Sequence, residues 1–170
     1  MYQFDQYSLG QTDSELELDS REHNQLASQA MVRQARRSLD IASRQLDPSV
    51  YDQPDFIAAV KRMILDNRRC QVRVLVFEAQ AIARRGHQLL QLAGDLSSFI
   101  ELRQAARQHD DYGEALLVAD RCGYIHRPLG NRYEAGANFS ARRRAQALLN
   151  TFEDMWAHAS SSVYLRRLSL

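Results

Sequence analysis

Five histidines and a run of three arginines are the side chains whose types and placement could do chemistry. His109, in Gln108-His109-Asp110-Asp111-Tyr112, and His126 fall near predicted strand ends, where α/β proteins reach their ligands. An imidazole there can act as base or nucleophile. His23, His87 and His158 fall within predicted helices and read as surface residues. Arg142, Arg143 and Arg144 follow Ser140, the expected N-cap of the last helix. Cations at that end oppose the helix dipole. Placing them there makes physical sense beside an anion, because helix N-termini are ready anion sites. Other chemistries lack their residues. The sequence has no G-x-S-x-G elbow, no phosphate loop of the G-x-x-x-x-G-K type, no G-x-G-x-x-G and no H-x-x-x-H or C-x-x-C metal pair. Neither a metal nor a cofactor is therefore expected. Cys70 and Cys122 read as small, semi-buried, reduced thiols.

The elements that would position these residues can be read from periodicity. Residues 1–18 read as an acidic arm, and residues 19–170 as a single domain. Asp19 and Glu22 have capping-box spacing, so a helix is expected from about Ser20, with Leu26, Ala27, Ala30, Met31 and Ala35 as its apolar stripe. Leu39 to Leu46 alternates as a strand does, ended by Asp47-Pro48. Pro54 opens a second helix. Cys70 to Phe77 is the strongest strand, apolar enough for burial on both faces. A helix over Ala79–Ala93 and a short strand over Ser98–Leu102 follow. Glu114–Ala119 and Cys122–His126 form a predicted hairpin turning at Asp120-Arg121. Gly130-Asn131 reads as a turn, and Arg132–Asn138 as short and extended. The last helix, Ser140–Ala159, has the clearest buried stripe, and Val163–Leu168 reads as a terminal strand. Strands separated by helices predict an α/β fold: a mixed, largely parallel sheet covered by helices on both faces.

This order of elements resembles one half-domain of the phospholipase D superfamily. The likeness covers about residues 30–160. Glu114 to Gly123 resembles the strand and turn of the H-x-K-x-x-x-x-D motif, with Asp120 in the aspartate's place. Ala135-Gly136-Ala137-Asn138-Phe139-Ser140 resembles the G-S-x-N element, and Phe152 to Trp156 the final helix. The resemblance puts Gly113 where the family has its nucleophilic histidine and Ala115 where it has its lysine. Neither can attack phosphorus or hold phosphoryl oxygens. It implies a degenerate bacterial-type domain without phosphodiesterase activity, in which Asp120 forms a turn and Asn138 borders a phosphate pocket. On this reading Arg142, Arg143, Arg144, Arg127 and Arg132 are the candidates to hold a phosphate-bearing ligand. His109, Asp120 and His126 stay open as substitutes in a divergent phosphodiesterase. The resemblance also implies partners: a homodimer across a twofold interface, or an acetyltransferase for which the chain would be a regulatory subunit.

Composition narrows the setting. Of the 170 residues, 45% are hydrophobic and 25% charged, an ordinary balance for one globular domain. Residues 1–20 hold neither a basic residue nor an apolar run, so no secretory signal is expected, and the longest apolar stretches are too short for a bilayer. A cytoplasmic, non-membrane protein is the expectation. The net charge of +1 argues against nucleic acid but leaves it open. That charge is uneven. Asp5, Asp13, Glu15, Glu17 and Asp19 crowd the arm, and the rest of the chain is basic, almost wholly through arginine, since Lys61 is the only lysine. The arm is accordingly expected to fold over the basic face and screen it.

Overall fold

In the computed structural model, residues 3–167 are described. Strand-period segments build β1 (Leu16–Leu18), β2 (Ser38–Ala42), β3 (Gln71–Val76), β4 (Ile100–Gln104), β5 (Ala115–Ala119), β6 (Gly123–Arg127) and β7 (Ala135–Asn138). Helix-period segments build α1 (Arg21–Gln34), α2 (Pro48–Tyr51), α3 (Pro54–Asp66), α4 (Ala79–Arg85), α5 (Gln88–Asp95), α6 (Arg142–His158) and α7 (Val163–Arg167). The strands join in one 7-stranded sheet of order β1-β7-β6-β5-β2-β3-β4.

The sheet is mixed, and its helices cover both faces, as expected. Strands β1, β2, β3, β4 and β6 point one way, β5 and β7 the other. Neighbours run parallel only across β2-β3-β4. The reason is connection length: these are the sheet neighbours that a helical crossover joins, long enough to return the chain to the same end. On one face Leu39, Ile41, Val74 and Leu117 pack against Met31 of α1, Phe56 and Ile64 of α3, and Leu89 of α5. On the other, Leu75, Leu116, Val118 and Tyr124 pack against Leu149, Phe152 and Trp156 of α6.

Local chemistry sets the boundaries. Ser20 caps α1, its hydroxyl accepting from the His23 amide at 3.0 Å. The helix expected over Ala79–Ala93 is two helices. Gly86, at φ +81°, breaks it, and His87 restarts it by accepting the Leu89 amide on Nδ1. The strand expected over Val163–Leu168 is helical through Arg167; Leu168 lies outside the described residues. Ser162 starts that turn by accepting the Tyr164 amide at 3.2 Å, and Leu165 is buried by it. The acidic segment is packed on the domain. β1 pairs with β7, Phe4 and Leu18 are buried, and Asp5 meets Arg33 at 3.2 Å.

One ion cluster lies under α6. Arg73 of β3 donates to Asp40 of β2 at 2.6 Å and to Glu153 of α6 at 2.6 Å, with its guanidinium 4.9 Å from the Phe152 ring. Asp40 is 1% exposed, and its second oxygen has no partner. Burial pushes its carboxyl above the ordinary range, and Arg73 offsets part of that shift. The same guanidinium holds Glu153 below its ordinary range. Arg73→Met should cost about 3–5 kcal/mol in urea unfolding at pH 7, the range for stripping one partner from a buried pair. A carboxyl raised in the folded state favours folding while protonated and loses that contribution as pH rises through its folded value. The cost of Arg73→Met should therefore shrink at pH 5. An equal cost at both pH values would exclude the stranded Asp40 charge as its cause.

Candidate functional site

Two regions hold the residues singled out by the sequence, at opposite ends of the sheet. At the end where β2 and β6 finish and β5 begins, a cleft of about 580 Å³ is lined by Arg44, Asp47, Gly113, Glu114, Arg127 and Tyr133, among others. This is the carboxyl edge of the parallel strands, the usual ligand side of an α/β sheet. Its cations are already engaged. Arg127 is 3% exposed; it donates to Asp47 at 2.9 Å, to the Gly130 carbonyl at 2.9 Å and to the Arg132 carbonyl at 2.7 Å. Its guanidinium also lies 4.8 Å from the Tyr133 ring. Arg44 donates to the carbonyls of Asp110 and Tyr112, at 2.5 and 3.0 Å, and lies 5.2 Å from the Phe77 ring.

Gly113 sits in the wall of this cleft. A Cβ on it would come no nearer than 4.0 Å to other atoms, so the position has room for a side chain. Its carbonyl accepts the Gly130 amide at 2.7 Å. A Cβ on Gly130 would approach that carbonyl to 3.1 Å, a tight contact, so glycine there lets the 128–131 loop close down without displacement. Ala115, the first residue of β5, is buried.

His126 lies on the α6 side of the sheet. Its Nε2 meets Glu114 at 2.6 Å, and its Nδ1 meets Arg144 at 3.2 Å. Arg144 reaches it across the Tyr124 ring, 5.9 Å away. His109 lies in the turn after β4, its ring 5.6 Å from that of His158. Arg132 is exposed and contributes its carbonyl to Arg127.

The remaining candidates lie at the opposite end. Asp120 and Arg121 form the β5–β6 turn, at φ +52° and +58°, the paired left-handed conformation of a tight hairpin. The Asp120 carboxylate accepts three successive amides, those of Arg36 at 3.0 Å, Arg37 at 2.7 Å and Ser38 at 3.1 Å. Arg142 and Arg143, exposed in the first turn of α6, line a shallow hollow of about 630 Å³ with Arg121. Ala141, rather than the expected Ser140, is the N-cap of α6, and no side chain caps it. Ser140 is drawn out of that role because its amide donates to Asn138 Oδ1 at 3.0 Å. Asn138 is buried, accepts Ser14 N–H at 3.3 Å and donates to Asp13 at 2.9 Å, so the acidic segment covers it. Arg127, His126 and Asn138 thus do not converge on one point. The sequence reading missed Arg44, Asp47 and Glu114; each lies just outside a strand, and no motif marks them.

A family model described as "Domain of unknown function (DUF7931)" matches residues 20–168. No curated protein matches the chain. Several solved structures share its fold. Nuc from Salmonella typhimurium, a phospholipase D family member, is 15% identical with TM-score 0.63, over 88% of this chain and 97% of that one. NucT from Helicobacter pylori is 14% identical with TM-score 0.57, over 88% and 98%. TrmBL2, an archaeal chromatin protein, is 12% identical with TM-score 0.63, over 87% of this chain and 54% of that one, so the chain spans about half its length. The fold is that of the phospholipase D group. No helix among the described residues is long and apolar enough to cross a membrane.

The Asp120 contacts can be tested through stability. Asp120→Ala removes a charged acceptor from three amides and leaves alanine at positive φ; it should cost about 2–3 kcal/mol in urea unfolding. Asp120→Asn keeps one acceptor oxygen and tolerates that backbone, so it should cost clearly less. Equal losses for the two variants would show that the carboxamide cannot stand in for the carboxylate.

Proposed function

The chain belongs to the family described as a domain of unknown function, DUF7931, and we propose that in it a phospholipase D-like fold binds a phosphate-bearing ligand without cleaving it. The observation that carries this reading is the division of labour at the three motif-like positions. Asp120 holds backbone amides, a task independent of chemistry. Gly113 and Ala115, on or beside the cleft, bring neither a nucleophile nor a cation. The cleft's own arginines are engaged with Asp47, Glu78 and backbone carbonyls, which leaves them poorly placed to neutralise a phosphoryl group.

The ligand end is α6. Its first amides lack a side-chain cap, and Arg142 and Arg143 stand beside them. Each of these cations opposes the dipole at a cost of roughly 0.3–1 kcal/mol, which a bound anion offsets. TrmBL2, with the same fold, is described as binding DNA, which agrees with a phosphate ligand.

A divergent phosphodiesterase is the competing reading, favoured by the short Glu114 contact to His126. Against it, both ring nitrogens of His126 are engaged, by Glu114 and Arg144. Two measurements separate the readings. The protein should not turn over bis(p-nitrophenyl) phosphate above the buffer rate, and pyrophosphate should shift the amide resonances of Arg142–Arg144 in a titration. Turnover that disappears in His126→Ala, or amides that stay still, would overturn the proposal.

A further inference from the structure

The end of the sheet away from the cleft gathers more positive charge than the α6 arginines alone. β2 and β3 begin there, and β5 turns into β6 there. The loop entering β2 carries Arg36 and Arg37, and the loop entering β3 carries Arg68 and Arg69. These four and Asn67 line one hollow of about 360 Å³. The next hollow holds Arg121, Arg142 and Arg143. Asp120 ties the two together, because it accepts the amides of Arg36 and Arg37 and is followed by Arg121. All of these arginines are exposed, and none forms a contact ion pair among the described residues. Of the acids close by, Asp66 pairs with Arg62 at 3.0 Å, Asp120 faces its amides, and Asp13 accepts from Asn138 at 2.9 Å beside the start of α6.

We propose that this edge docks the sugar-phosphate backbone of a nucleic acid. The inference rests on the phosphate-binding reading and extends it to a polymer. Size favours the polymer. The strands from β3 to β6 are three spacings apart, about 14 Å, while each strand of a DNA duplex presents a phosphate for roughly every 3.4 Å of helix axis. The edge is therefore long enough to meet several phosphates of a duplex, more than a single phosphate group can occupy. Chemistry favours it too, because arginine's planar fork matches phosphate oxygens. No exposed large apolar side chain lines either hollow, as insertion into a lipid surface would require. The one ring beside them, Phe99, has its face taken by Arg68, 5.6 Å away, so base stacking is not expected and binding is tolerant of sequence.

The test is fluorescence anisotropy of a labelled duplex DNA of two helical turns, titrated with the full chain across a salt series. Binding should be tight at low salt, with log affinity falling against log salt at a slope of about −4 to −6 for four to seven phosphate contacts. Arg36→Gln with Arg69→Gln, and separately Arg142→Gln with Arg143→Gln, should each weaken binding at least about tenfold and reduce the slope by about 2. Arg84→Gln with Arg107→Gln removes the same charge away from this edge and should change little. No binding at low salt, an equal loss in the Arg84/Arg107 variant, or binding to phosphatidylglycerol vesicles but not to DNA would overturn the proposal. If pyrophosphate moves the α6 amides while the duplex fails to bind, the polymer inference falls and the phosphate reading stands. Circular dichroism melting of each variant confirms that these surface changes leave the fold intact.

Discussion

One carboxylate, on the turn between β5 and β6, fixes how the two halves of the sheet meet. Asp120 lies where β2, entering from α1, must be aligned with the hairpin that returns beside it. Three successive amides at the end of α1 and the start of β2 would otherwise lack acceptors, and the carboxylate takes all of them. The backbone of the same residue donates to the Ser38 carbonyl, so the turn is stitched to β2 from both sides. The left-handed conformations of Asp120 and Arg121 aim the carboxylate inward and leave the arginine outside. A residue that looks like a relic of a catalytic motif thus has a task in backbone hydrogen bonding. The exposed arginines on either side inherit their spacing from it.

The two ends of the sheet use arginine in opposite ways. At the cleft, Arg127 is buried, and desolvation of its charge is repaid by Asp47, two carbonyls and the face of Tyr133. Such a side chain stabilises the loop between β6 and β7, and moving it onto a ligand would strand Asp47. At the other end the arginines keep their hydration and their donors. A cation that is neither buried nor paired contributes little to folding, so the concentration of several such groups on one edge calls for an explanation outside folding.

Much of the architecture was legible because burial imposes period. The apolar run of β3, the hairpin signal around Asp120 and the stripe of α6 each repeat at the spacing of the structure they form. What escaped was decided by single atoms. Gly86 splits a helix whose apolar positions continue on both sides. Ser162 starts α7 in a segment whose β-branched and aromatic residues favour a strand. Ser140 looked like a cap, and Asn138 claims its amide instead. The site was less legible than the fold. Arg142 and Arg143 stand out as a run, but Arg36, Arg37, Arg68 and Arg69 lie in two loops that are neighbours only because β2 and β3 pair. Glu114 and His126 meet for the same reason, across β5 and β6.

The short strand β1 has a consequence for how the chain assembles. Its partner, β7, lies more than a hundred residues further along the chain. A nascent polypeptide therefore holds Leu16 and Leu18 in waiting through most of its synthesis, and the register Leu16–Ala137 can form only after the central strands are in place. Pairings that close so long a loop form slowly. The acidic residues around β1 suit that delay, since like charges keep an unpaired strand soluble and away from other copies. Docking of this segment covers Asn138 and completes the sheet.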